Sequence, residues 1–99
     1  MKLELLDLAQ GDLIEGYHFY ESQEAGLGTY FLDTLYSDID SLQILGGIHR
    51  KAYKNLHRAL SKRFPFAIYY TVESATVCVR AVVDCRRNPS WIRQYLGNA

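Results

Sequence analysis

The sequence is poor in the residues that make covalent staples or metal centres. It holds two cysteines, Cys78 and Cys85. Both fall in one expected strand, an odd number of residues apart. A straight strand would point them to opposite faces, where they cannot bridge. No CxxC pair or Cys/His cluster has metal-site spacing, so no metal is expected and both thiols read as small core residues. Phosphate-loop, dinucleotide, nucleophile-elbow, zinc-protease and EF-hand patterns are all missing, which gives no reason to expect a cofactor. No apolar run approaches the ~20 residues of a membrane span. Met1-Lys2-Leu3-Glu4 does not begin a signal peptide, so no membrane partner and a cytoplasmic location are expected.

Positive charge is nearly absent from the first half. Residues 1–48 hold nine acids and one base, Lys2, a net −8. Residues 49–99 hold ten bases and two acids, Glu73 and Asp84, a net +8. Such a split suggests an anionic partner for the basic half. The alternative is that the two halves face and neutralise each other within the molecule.

What is present is apolar and aromatic. Of 99 residues, 48% are hydrophobic and 13% aromatic, enough to build a core. The length suits a single domain over residues 1–99. Residues 2–6 alternate and suggest a short edge strand. Asp7 is positioned to cap a helix running to about Glu24, with Leu13, Tyr17 and Tyr20 at helical spacing. Gly26-Leu27-Gly28 reads as a tight connection. A second helix is expected over Leu27–Leu45, with Leu27, Phe31, Leu35, Ile39 and Leu42 on one stripe and Gly46-Gly47 as its stop. The loop is short enough to make the helices an antiparallel hairpin.

The period then changes to two. A strand is expected around 54–60, then Phe64–Val72 with Phe64, Phe66, Ile68, Tyr70 and Val72 on one face. After a turn at Glu73-Ser74-Ala75 comes Thr76–Arg86, with Val77, Val79, Ala81 and Val83 on one face. Asn88-Pro89-Ser90 resembles a helix start, leading into a turn or two through Leu96. Helices grouped before a meander of strands give an α+β fold: a helical hairpin on one face of a small, mainly antiparallel sheet. The other face is expected to be partly free.

That free face supplies the candidate site. Tyr69 and Arg80 should project from it, with either Arg58 or His57. Lys62 and Arg63 sit at a strand mouth, and Arg86 and Arg87 at a strand end. Guanidinium groups beside an aromatic ring suit phosphates, carboxylates or stacked bases, and equally an acidic peptide. A general acid/base role for His57 would need a partner within hydrogen-bond reach.

Several segments carry a family resemblance that spans nearly the whole chain. They are Gly11-Asp12-Leu13-Ile14-Glu15-Gly16 with Phe19-Tyr20-Glu21, then Gly26-Leu27-Gly28 and the Phe31, Leu35, Asp38-Ile39 stripe. His57-Arg58-Ala59-Leu60, Arg63 to Tyr70 and Asp84 to Trp91 follow. Together they resemble the RelE/ParE toxin superfamily, and the last two stretches are most similar to its ParE-like, plasmid-stabilisation branch. The resemblance implies the toxin of a type II toxin–antitoxin (TA) pair, with a cognate antitoxin as partner and higher-order complexes of the two. ParE-like members inhibit DNA gyrase; RelE-like members cut messenger RNA on the ribosome without a metal. For cutting, the resemblance implies basic residues around the phosphate and matches Arg86 to an arginine near the end of the last strand; Arg58, Arg63, Arg80 and Arg86 are the candidate contacts. It places Ala67 where nucleases of the superfamily usually carry an arginine, which favours the ParE-like reading. The candidates for binding the target or the antitoxin are Arg58, Lys62, Arg63, Tyr69, Arg80, Arg86, Arg87 and Trp91. Whether the chain is an enzyme stays open, as does an inactive member that only forms complexes.

Overall fold

A computed structural model describes all residues, Met1–Ala99. Strand β1 (Lys2–Leu5) leads into helix α1 (Asp7–Gln23), α2 (Leu27–Asp40) and the single turn α3 (Leu42–Leu45). Strands β2 (Lys51–Tyr53), β3 (Leu56–Leu60), β4 (Phe66–Glu73) and β5 (Thr76–Asp84) follow, then α4 (Pro89–Leu96). The sheet order is β1-β5-β4-β3-β2, antiparallel except that β1 runs parallel to β5. The α+β architecture is the one anticipated.

The helical hairpin forms where the stripes placed it. Phe31, Leu35, Ile39 and Leu42 are at most 1% exposed. They meet Leu13 and Tyr20 of α1 above Ile68, Tyr70, Val77 and Val79 of the sheet. Each such fully buried side chain contributes roughly 1.5–3 kcal/mol over exposure. The tight connection has a chemical cause. Gly26 adopts φ 91°, in the left-handed region. The Glu21 carboxylate accepts the N–H groups of Gly26 at 3.0 Å and Gly28 at 2.9 Å, closing the N-terminus of α2 from α1. Gly28 is also where the two helices touch: a Cβ there would lie 2.7 Å from the backbone oxygen of Tyr17.

Four expectations need correction. The N-cap of α1 is Leu6, and Asp7 opens the helix without capping it. The second helix breaks at Ser41, whose hydroxyl donates to the Asp38 carbonyl at 2.6 Å and competes for the helix ladder. The strand expected at 54–60 is a hairpin of β2 and β3, turned by Lys54 at φ 50° with no glycine or proline to announce it.

Strand β5 also departs from the alternation expected of it. Tyr69 pairs with Ala81 but Tyr70 with Val79, so Arg80 is an inserted residue, a β-bulge. A bulge shifts the alternation by one. Val77 and Val79 face the helical hairpin, as does Val82, whereas Ala81 and Val83 face the other side. By the same shift Cys78 and Cys85 lie on one side of the sheet, and both are free thiols.

Candidate functional site

The second face of the sheet is covered. Asn88 caps α4 by accepting the Ser90 N–H at 2.8 Å, and Pro89 occupies the first turn, where its missing N–H costs nothing. The helix then lies across the sheet. Leu96, with Trp91, Ile92 and Tyr95, packs over Leu56, Ala67, Tyr69, Ala81 and Val83 in a second, smaller core. Tyr69 is 5% exposed and Ala67 1%. The expectation of Tyr69 as an open stacking platform is therefore corrected: the bulge makes this face apolar enough to need a cover, and α4 provides it.

One interaction locks α4 in place. β1 ends at Leu5, opposite Val79, so the outer edge of β5 is unpaired beyond that point. Asp12 on α1 fills the gap. One of its carboxylate oxygens accepts the Val82 N–H at 2.8 Å, and the other accepts the Tyr95 hydroxyl. Burial pushes the Asp12 carboxyl above its ordinary range, against the pull of both donors. Tyr95 is also held well above its usual value, by burial first and by its bond to the carboxylate second.

A groove of about 390 Å³ lies beside this lock, between α1 and α4. Phe66 and Val82 line it, and Arg86, Arg87, Trp91 and the half-exposed Phe19 surround them. The Arg87 guanidinium stands 4.1 Å over the Trp91 ring, and Trp91 stacks on Tyr95 at 4.8 Å. The result is a ladder of cation, indole and phenol. Arg86 grips Asp84 through two bonds of 3.0 and 2.8 Å. That fork holds the Asp84 carboxyl below its ordinary range and raises Arg86 further.

The other candidates lie elsewhere. Arg58 faces the α4 side, with its Nη2 3.8 Å from Cys85 Sγ, next in sequence to Arg86. Arg80, on the bulge, donates to Glu73 at 2.5 Å and to Thr71 at 2.9 Å in a different depression. Lys62 and Arg63 sit on the helical side, where the Lys62 N–H reaches Asp38 and Arg63 reaches the Tyr30 hydroxyl at 3.2 Å. The structure thus gathers Arg86, Arg87 and Trp91, with Arg58 close by, and separates Arg80, Lys62, Arg63 and the buried Tyr69 from them. His57 faces the helical side, stacked 5.0 Å from Tyr70, and accepts no site role there.

Sequence reasoning did not place Asp12, Phe19 or Tyr95 in this groove. Asp12 meets Val82 and Tyr95, 70 and 83 residues further on, and only the bulge phase of β5 brings Val82 round to it.

The charge split does not cancel internally. Both acids of the basic half are used by its own arginines, Glu73 by Arg80 and Asp84 by Arg86. The one ion pair between halves, Glu15 to Arg87, is loose at 4.0 Å and well exposed.

Comparison with known proteins gives the fold a precedent. No protein-family model and no curated protein matches the sequence. Among solved structures, the chain is similar to one from the chromosomal ParDE TA system from P. aeruginosa. The TM-score is 0.78 at 15% identity, covering 85% of this chain and 95% of that one. It is also similar to the isolated E. coli RelE toxin, with TM-score 0.62 at 12% identity, covering 99% and 98%. The chain has the RelE/ParE superfamily fold. No helix in it is long and apolar enough to cross a membrane.

Proposed function

We propose that this chain is the toxin of a type II toxin–antitoxin pair and that it acts by binding its target, not by cutting nucleic acid. The observation that carries the second half is the state of the arginines. A metal-free nuclease needs unpaired cations converging on one phosphate. Here Arg80 and Arg86 each hold a carboxylate of their own, and Lys62 and Arg63 lie on another side of the molecule. The middle strand presents the methyl group of Ala67, buried beneath α4, where the resemblance would place a nuclease arginine.

What remains suits a macromolecular contact. The α1–α4 groove has apolar walls, an exposed Phe19 and the Arg87–Trp91 ladder on its rim, the residue types that dominate binding interfaces. The target under this reading is DNA gyrase, and the site of action is the cytoplasm. The cognate antitoxin would supply an acidic, flexible segment that orders on binding.

One observation favours the ribosome-dependent nuclease as a second reading: Arg58 and Arg86 approach the same end of the sheet, on either side of Cys85. The two readings separate in parallel assays. Inhibition of gyrase supercoiling without message cleavage supports the proposal. Ribosomal A-site cleavage that disappears in Arg86→Ala replaces it with the second reading. Growth unaffected by expression would leave an inactive, complex-forming member.

A further inference from the structure

Helix α2 carries an outward stripe that stays accessible to solvent. Tyr30, Asp33, Tyr36 and Asp40 are all exposed and follow at steps of three and four, so they lie on one side of the helix. Ile44 continues the series one turn further on. Tyr30 and Tyr36 are 45% and 44% exposed and Ile44 is 87% exposed. Large apolar groups and acids thus alternate along this surface.

The β3–β4 loop runs beside it. The buried Asp38, on the inner side of α2, accepts the Ser61 hydroxyl at 2.7 Å and the Lys62 N–H at 3.3 Å. Arg63 reaches the Tyr30 hydroxyl. These bonds set two exposed cations, Lys62 and Arg63, along the border of the stripe. Neither forms an ion pair, and neither do Asp33 and Asp40. Both signs stand side by side with no counter-ion in the chain.

The pattern limits what can dock there. A uniformly acidic segment meets repulsion from Asp33 and Asp40. A basic one meets it from Lys62 and Arg63. The surface is satisfied by a partner with apolar anchors and both charges in reversed order. A second copy of the chain, turned about a two-fold axis, has that arrangement by construction: the stripe of each copy faces the loop of the other. The net charge of zero removes overall repulsion between copies. From these relationships we infer that α2 and the β3–β4 loop form a two-fold self-association surface. This surface is separate from the α1–α4 groove, and the inference stands whether or not the chain is a toxin.

The test is sedimentation equilibrium on the full chain. The wild type should show twice the monomer mass at low salt and dissociate as salt rises, with self-affinity falling at least about tenfold. Asp33→Lys/Asp40→Lys should be monomeric, and so should Lys62→Glu/Arg63→Glu. An equimolar mixture of the two should recover the doubled mass, since one now carries only positive and the other only negative groups on the surface. All the substituted side chains are exposed, and circular dichroism melts check that both variants fold. Should either fail, the wild-type salt titration and Tyr36→Glu, which places a charge in the stripe's centre, carry the test. A wild type that stays monomeric at every concentration overturns the inference. So does a dimer that persists in both charge-reversed variants, because its interface would lie elsewhere.

Discussion

The carboxylate of Asp12 accepts the hydroxyl of Tyr95, 83 residues further along the chain, and so ties the first helix to the last across the edge of the sheet. Through Val82 the same carboxylate also finishes β5, where β1 has run out. This junction forms one wall of the groove proposed to bind the target. Its strength therefore decides whether the groove exists in fixed form.

Removing one partner of a part-buried charge-assisted bond such as this costs about 1.5–3 kcal/mol. Tyr95→Phe should lower the free energy of unfolding by that amount in urea titrations. Asp12→Ala should cost more, because it strands both the Val82 N–H and the Tyr95 hydroxyl. Equal stability of Asp12→Ala and wild type would show that water satisfies these donors as well as the carboxylate does.

Ala67 tests the cover over the second face. Its side chain lies between the sheet and α4 with 1% exposure. Ala67→Arg puts a charge there with no carboxylate to meet it, and should cost roughly 3 kcal/mol or more or expel α4. A variant as stable as wild type, with unchanged near-ultraviolet dichroism of Trp91, would mean that α4 is not docked as described. This substitution should create no message cleavage.

Gly28 tests the helical hairpin. A methyl group there meets the Tyr17 backbone oxygen and the Glu21 side chain within 2.8 Å. Backbone cannot step aside as a side chain can, so Gly28→Ala should destabilise by about 1–3 kcal/mol despite alanine's better helix propensity. Gly11 has nothing near its Cβ position. Gly11→Ala should therefore stabilise by roughly 0.5–1 kcal/mol, and the pair of melting curves checks both signs.

The loop after α3 should respond to acid. The buried Tyr70 hydroxyl accepts the Gly47 N–H at 3.0 Å and shares a hydrogen bond of 2.6 Å with His49 Nδ1. Burial first, and the neighbouring His57 second, lower the His49 pKa below its ordinary 6.5. A histidine depressed in the folded state contributes stability above its unfolded pKa and loses it as pH falls through the folded one. Stability should thus decline below about pH 6.5, and His49→Gln should flatten that part of the curve. An unchanged slope in the variant would assign the decline to other groups.

Much of the fold was legible because it rests on local patterns. The stripe of Phe31, Leu35, Ile39 and Leu42 and the glycines of the α1–α2 turn state their roles within a few residues. The break at Ser41 and the β2–β3 hairpin were not legible, since a serine back-bond and a left-handed lysine leave no compositional mark. The site suffered most from one residue. Arg80 reads as an ordinary outward position in an alternating strand, and nothing in Val79-Arg80-Ala81 announces a bulge. That single insertion reversed the faces of Ala81, Val82 and Val83. With it went the open sheet face on which Tyr69 was expected. The structure brings the C-terminal candidates Arg86, Arg87 and Trp91 to one groove, and charge and aromatic content mark them in the sequence without reference to strand phase.

Action through the α1–α4 groove is decided by titrating purified protein into a gyrase supercoiling reaction, with the Arg87→Ala/Trp91→Ala variant run alongside. Wild type should stop supercoiling at amounts comparable to the enzyme, and removing the ladder should weaken inhibition roughly tenfold or more. Supercoiling that proceeds unchanged at a large excess of wild-type protein would contradict it.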